Sequence, residues 1–202
     1  MSSKGFTLVE VMVTLSIIAL ISTIVVRSQS SYTQAAALTN LSDEIASRIV
    51  QAQIYGIAVR ERTPGSADFS GSYGLSMSLL SGGSNTAYLS FIDKNGNQIY
   101  DGSWDCEMGG AAECLEKVDI QRGNYIHQFC VIRSTGGEIC GTAERADISY
   151  ARPFIEARIR LFDSGGQVYS PPNMIGVKIV LKSETDLSRS VSVYQSGQIS
   201  SQ

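Results

Sequence analysis

The sequence predicts an α+β protein in which a long N-terminal helix, transmembrane in its first half, packs on an antiparallel β-sheet head. Three observations predict this fold class. Residues 6–26 are apolar with one charge, residues 28–59 continue with helical periodicity, and beyond residue 65 the apolar period changes to two. With 43% apolar and 17% charged residues, the 202-residue chain has enough apolar material for a folded core.

The first element is a membrane-length apolar segment, Phe6–Val26. As a helix it would span ~32 Å, which matches the hydrocarbon thickness of a bilayer. A cleaved secretory signal usually has a shorter apolar core and an exit site of small residues, which this segment lacks. A plain membrane anchor accounts for the length, and Lys4 fits the positive-inside rule. It does not account for Glu10, because a carboxylate within an apolar span is costly unless it has a functional partner.

The sequence Lys4-Gly5-Phe6-Thr7-Leu8-Val9-Glu10 resembles the leader and first mature residues of type IV pilins and type II secretion pseudopilins. The resemblance implies that residues 1–5 are a prepilin leader, that prepilin peptidase cleaves after Gly5, and that Phe6 is then N-methylated. It also identifies Glu10 as the fifth residue of the mature chain. Cleavage creates a cation at Phe6 that can pair with Glu10 of the same or a neighbouring subunit. Because a paired charge costs far less than a single one in low dielectric, we expect this pair to set the register of an incoming subunit.

The helix is expected to continue beyond the membrane. Residues 6–27 form the predicted transmembrane and assembly segment, and residues 28–62 form its amphipathic continuation, which ends at Thr63-Pro64-Gly65. Intervals of three and four residues place five apolar side chains on one helix face: Leu38, Leu41, Ile45, Ile49 and Ala52. The alternative is a break near residues 27–31 followed by a separate amphipathic helix.

Residues 63–202 are predicted to form the antiparallel head. The predicted strands are residues 73–79, 86–92, 118–121, 126–133, 154–162, 176–182 and 190–195. The later strands alternate strongly, so one face of the sheet is expected to meet the helix and the other face to meet water. Residues 175–181 and 189–199 look like the closing hairpin of H-type minor pseudopilins and related minor pilins. That resemblance implies a minor subunit.

The four cysteines lie in a disulfide-rich region, residues 106–140. None has the C-x-x-C spacing of a zinc ribbon or a redox site, and an even number suits two disulfides made in an oxidising compartment. Three pairings are possible. We prefer Cys106 with Cys114 and Cys130 with Cys140, because the segment between the latter two is predicted to be a hairpin with a Gly-Gly turn.

One loop has oxygen ligands at the spacing of a calcium site. Positions 1, 3, 5, 7 and 9 of the loop are occupied by Asp93, Asn95, Asn97, the carbonyl of Ile99, and Asp101. Trp104 replaces the usual glutamate at position 12, so an EF-hand is not expected. The alternative is an Asn-Gly turn between two strands, with side chains that hydrogen-bond to the local backbone.

Several function classes find no support in the sequence. The single histidine, His127, makes a catalytic histidine or a multi-histidine metal site improbable, and we expect it to be structural or exposed. There is no G-x-S-x-G elbow, and calcium is the one cofactor suggested. A net charge of −3 argues against nucleic-acid binding. Arg158 and Arg160 share one strand face and either meet an acidic neighbour or are solvated.

The sequence therefore predicts a non-enzymatic structural subunit of a type IV pilus or pseudopilus. By the resemblance, its partners are other pilin or pseudopilin subunits, prepilin peptidase and the N-methylase. The precursor is expected to cross the inner membrane once, with its head in the periplasm. Two other hypotheses are a filament-borne head that binds a surface, DNA or a secreted substrate, and an anchored periplasmic sensor domain unrelated to pili.

Overall fold

The computed structural model describes residues 5–58, 65, 71–107 and 112–202. Within these ranges it contains one α-helix, α1 (Leu8–Ile57), and eleven β-strands. The helix has 50 residues without a break at residues 27–31, so it is ~75 Å long. It ends at Ile57, five residues earlier than expected. The predicted stop at Thr63-Pro64 and the predicted boundary at residues 62 and 63 lie outside the described residues.

Local hydrogen bonds explain how α1 begins and how it accommodates polar residues. Thr7 is the N-cap, and its hydroxyl accepts a hydrogen bond from the backbone N–H of Glu10 at 3.3 Å. Within the apolar half, the Ser16 and Thr23 hydroxyls donate to carbonyls one turn earlier, at 2.9 and 2.8 Å. These bonds satisfy the hydroxyls without water, which suits a helix in an apolar environment.

The strands form two antiparallel sheets rather than the single sheet expected from the sequence. The six-stranded sheet has the order β3-β2-β1-β6-β7-β8, and the five-stranded sheet has the order β11-β10-β9-β4-β5. The bounds are β1 (Ser72–Ser78), β2 (Ser84–Asp93), β3 (Cys114–Asp119), β4 (Tyr125–Arg133), β5 (Glu138–Ala143), β6 (Arg145–Tyr150), β7 (Arg158–Phe162), β8 (Val168–Tyr169), β9 (Met174–Lys182), β10 (Ser188–Tyr194) and β11 (Ile199–Ser201).

The second half of α1 packs on both sheets and closes one hydrophobic core. The five side chains predicted to share its buried face are all buried, and they join one cluster with residues of both sheets. Contact is close at Gly56, where an added Cβ would lie 2.3 Å from the Tyr150 carbonyl oxygen. The α+β architecture predicted from the sequence is therefore confirmed, and it is pilin-like.

The strand predictions succeed where apolar residues alternate and fail where buried residues are polar. β6 was missed because Asp147 and Ser149, both fully buried, resemble loop residues in the sequence. The strand predicted from residue 154 begins only at Arg158, and Phe154 lies in the exposed turn before it. The strand predicted at residues 118–121 is the end of β3. The hairpin predicted between Cys130 and Cys140 is formed by β4 and β5, whereas β8 and β11 were not predicted.

Candidate functional site

The first half of α1 is an apolar rod that projects from the head. Its span Leu8–Val26 is 19 residues long, and none of it is buried within the molecule. At ~1.5 Å per residue the span measures ~28 Å, close to the hydrocarbon thickness of a bilayer. The core helix of a soluble protein would be covered by its own chain, whereas the described residues leave this span uncovered. The span fits a membrane anchor.

The residues predicted for processing lie just outside the helix. Gly5 and Phe6 precede the N-cap Thr7 and are not helical, and the Phe6 side chain is 83% exposed. The peptide bond between them is therefore accessible and free of helical hydrogen bonds.

Glu10 lies in the first turn of α1, four residues after Phe6, and is exposed. A carboxylate at this position is favoured by the partial positive charge of the helix N-terminus. Among the residues that the structure describes, no cation forms an ion pair with it. The spacing of four residues places Glu10 within about one turn of the amino group that cleavage would create at Phe6.

Comparison with known proteins identifies this N-terminus. Residues 1–26 match the family model described as a prokaryotic N-terminal methylation motif. The chain thus begins with a type IV pilin-like prepilin leader. No curated protein and no solved structure gives a significant match. The match covers the leader and the apolar span but not the head, so the H-type minor subtype stays a prediction.

Two disulfides secure the head at strands on the sheet edges. Cys106 bonds to Cys114 at the start of β3, and Cys130 in β4 bonds to its cross-strand neighbour Cys140 in β5. β3 and β5 are edge strands of their sheets, and each bridge closes a short loop. By the loop-entropy model, each bridge stabilises the folded head by about 2–3 kcal/mol. These are the pairs that the sequence analysis preferred.

The loop predicted to hold calcium is folded by hydrogen bonds of its own. The buried Asp93 carboxylate accepts from the backbone N–H groups of Gly96 and Gln98, at 2.6 and 2.9 Å. The amide groups of Asn95 and Asn97 both donate to Asp101 Oδ2, at 2.7 and 2.6 Å.

Because the carboxylate oxygens of this loop accept hydrogen bonds from protein donors, the arrangement is typical of a turn stabilised by Asn and Asp side chains. In the described residues, the one group of three or more His, Cys, Asp or Glu side chains close enough to share a metal is Cys130, Glu138 and Cys140. Both of its sulfurs are used in a disulfide. Calcium binding by the loop of residues 93–101 stays a prediction.

A residue that the sequence analysis did not single out, Glu113, holds both sides of this loop. Its buried carboxylate accepts from the backbone N–H of Lys94 through Oε1 and from that of Asp101 through Oε2, each at 3.0 Å. Glu113 directly precedes Cys114, whose disulfide to Cys106 ties it to the chain that leaves the loop. The adjacent cysteine was the one signal in the sequence that pointed to this role.

A buried ion pair fastens the same loop to the six-stranded sheet. Asp147 accepts from the Ser76 hydroxyl at 2.6 Å, from the Tyr100 N–H at 2.9 Å, and from Arg145 Nε and Nη2 at 3.0 and 2.5 Å. Arg145 also donates to the Tyr100 carbonyl and lies over the Phe162 ring, 4.5 Å from its centroid. Burial raises the pKa of the Asp147 carboxyl, and the Arg145 guanidinium opposes that rise. The pair therefore links the end of the loop at Tyr100 to the six-stranded sheet.

The remaining predicted candidates lie apart from the N-terminal site. His127 is exposed and lies edge-on to Tyr125, with ring centroids 6.2 Å apart. Arg158 and Arg160 are partly buried on the same side of β7, and Arg160 donates to the Gln98 side chain at 3.0 Å. Arg160 therefore supports the calcium-like loop within the same chain.

Proposed function

We propose that the chain is a structural, minor subunit of a type IV pilus or pseudopilus, made as a membrane-inserted precursor. Prepilin peptidase cleaves it after Gly5, and the new N-terminus at Phe6 is methylated. The observation that carries this proposal is the coincidence of the N-terminal methylation motif with an apolar span that the head leaves uncovered. An enzyme with a simple anchor needs the span but not the motif.

In this proposal the precursor is stored in the inner membrane with its head in the periplasm. The span Leu8–Val26 crosses the inner membrane once, with the short leader on the cytoplasmic side. The rest of α1 carries the head into the periplasm. Two disulfides and no free cysteine agree with folding in that oxidising compartment.

Assembly moves the apolar span from lipid into the core of a filament. Lipid tails are as apolar as the helix, so the hydrophobic effect alone does not favour the filament over the membrane. A polar interaction that is made only between subunits supplies both driving force and register. In our proposal this interaction joins the Glu10 carboxylate to the cationic amino group of Phe6 on a neighbouring subunit.

The test is the substitution Glu10→Ala in the full chain, with Asp43→Ala as the control. Asp43 is an exposed acid on the same helix, outside the apolar span. We expect Glu10→Ala to be processed and inserted but recovered at least about tenfold less in the filament fraction, because ~1.4 kcal/mol of lost interaction is tenfold in an equilibrium. Asp43→Ala should assemble normally. Assembly of Glu10→Ala at the wild-type level would refute the proposed role of Glu10.

A further inference from the structure

A cavity lies at the membrane-facing end of the head, where α1 emerges from its apolar span. It is an open cavity of about 460 Å³ between one side of the helix and the turn that joins β3 to β4. Its lining residues are Val26, Gln29, Thr33, Gln34 and Ala37 of α1, and Arg122 of the turn. We propose that this cavity binds the phosphate group of a membrane phospholipid while the precursor is stored in the membrane, with Arg122 as the cation that holds it. The inference rests on the proposed membrane-inserted precursor.

The height of the cavity matches the headgroup layer. The 19-residue span ends at Val26 and is just long enough to cross the hydrocarbon, so Val26 lies at its outer boundary. The headgroup region extends roughly 5–7 Å further on each side. At ~1.5 Å per residue this is the level of Gln29, whereas Ala37 lies ~16 Å above Val26. The lower part of the cavity therefore opens at the depth of the phosphates, and Arg122 borders the cavity from the head.

The donors around the cavity suit a phosphate. Arg122 is exposed, and among the described residues no carboxylate forms an ion pair with it. Its planar guanidinium can donate two parallel hydrogen bonds to a phosphate. The Gln34 amide oxygen accepts from the Thr185 hydroxyl at 2.8 Å, which leaves the amide NH₂ as a further donor. At the hydrocarbon boundary, Val26 supplies apolar wall for the glycerol and the first acyl carbons.

Neighbouring acids make the site dependent on Arg122. The Glu184 carboxylate packs over Gly123, since a Cβ added there would lie 2.4 Å from its Oε1. Asp186, which lies with Glu184 in the turn between β9 and β10, is paired with Lys182 at 3.2 Å. Glu184 therefore lies over the residue that follows Arg122, and among the described residues no cation forms an ion pair with it. Loss of the Arg122 charge would leave this side of the cavity negative and repel a phosphate.

The experiment uses the full chain in vesicles of phosphatidylethanolamine and phosphatidylglycerol, in phosphate-free buffer. Arginine is labelled with ¹³C at Cζ, and solid-state NMR measures its dephasing by lipid ³¹P, which reports guanidinium–phosphate proximity. We expect the dephasing in Arg122→Gln to be smaller than in the wild type by the contribution of one guanidinium. Arg158→Gln, which makes the same charge change at the start of β7 and away from the cavity lining, should match the wild type. Arg27 follows Val26 in sequence and carries the same label. The contribution of Arg122 is therefore taken as the difference in dephasing between the wild type and Arg122→Gln.

Equal dephasing in wild type and Arg122→Gln would overturn the proposal. Arg122→Lys removes the labelled guanidinium but keeps the charge, so it gives the same test if thermal unfolding shows that Arg122→Gln is poorly folded. Vesicles of a galactolipid without phosphorus, supplied with inorganic phosphate, form a second arm. An undiminished Arg122 signal there would assign the cavity to free phosphate and overturn the lipid assignment.

Vesicle flotation separates this inference from the proposed function. If the wild-type chain does not float with the vesicles, the proposed membrane-inserted precursor is wrong. If it floats but Arg122 contributes no dephasing, the proposed precursor stands and the phospholipid site is wrong.

Discussion

The substitution Asp147→Asn tests whether the buried ion pair holds the loop of residues 93–101 on the head. Asparagine has nearly the same shape, and its one amide oxygen can still accept from either the Tyr100 N–H or the Ser76 hydroxyl, which bond to different oxygens of Asp147. It cannot neutralise Arg145, whose side chain is only 19% exposed. The variant therefore keeps the packing of the site and leaves a cation without its counter-charge.

The structure sets the size of the expected effect. Breaking a fully buried pair by removing one partner costs about 3–5 kcal/mol. Arg145 is partly exposed and keeps its hydrogen bond to Tyr100 and its contact with Phe162, so we expect a loss near the lower end, about 3 kcal/mol. For a domain of this size that corresponds to a drop in Tm of roughly 6–12 °C.

The assay is thermal and urea unfolding of the full chain in detergent, followed by near-UV circular dichroism. Asp105→Asn is the control, because Asp105 is an exposed acid in the nearby loop. The double variant Arg145→Met, Asp147→Leu removes both charges and should recover part of the loss. A change below about 0.5 kcal/mol for Asp147→Asn would refute the reasoning, since that is the size expected of an ordinary surface substitution.

Three further predictions concern the head. Gly56→Ala should destabilise it by about 2–3 kcal/mol in urea unfolding, because the new methyl group would overlap the Tyr150 carbonyl; Gly82→Ala, which meets no atom within 4 Å, should be nearly neutral, and equal effects would contradict the close contact. Burial raises the pKa of both Tyr88 and Tyr150, so above about pH 10 the unfolded chain loses these protons first and the stability of the head should fall as pH rises. An absorbance titration should show that these two tyrosines ionise only when the head unfolds. Ionisation together with the exposed tyrosines would contradict this prediction. If the loop of residues 93–101 is held by its own hydrogen bonds, a chelator should leave Tm unchanged, whereas a Tm that rises with added calcium would favour the metal site.

The long helix was predictable because its signals are local. An apolar run of membrane length, the helical spacing from Leu38 to Ala52 and the motif around Glu10 can each be read within a few turns of chain. The local disulfides were also predictable, since a Gly-Gly turn returns Cys140 to Cys130.

The division of the head into two sheets was not predictable, because it depends on pairings between distant strands. β1 pairs with β6, which is about seventy residues away in sequence. The polar interactions of the loop were missed for a related reason. Asp147 and Glu113 act only because the fold buries them beside Tyr100 and Lys94, and in the sequence they look like ordinary surface acids.

The N-terminus of the chain purified from cells with a working prepilin peptidase is the most direct test of this account. Mass spectrometry of the N-terminal peptide should show a chain that begins at Phe6 and carries one methyl group on its amine. A chain that keeps residues 1–5, or that begins at an unmethylated residue further along, would contradict the assignment of a pilin-type subunit.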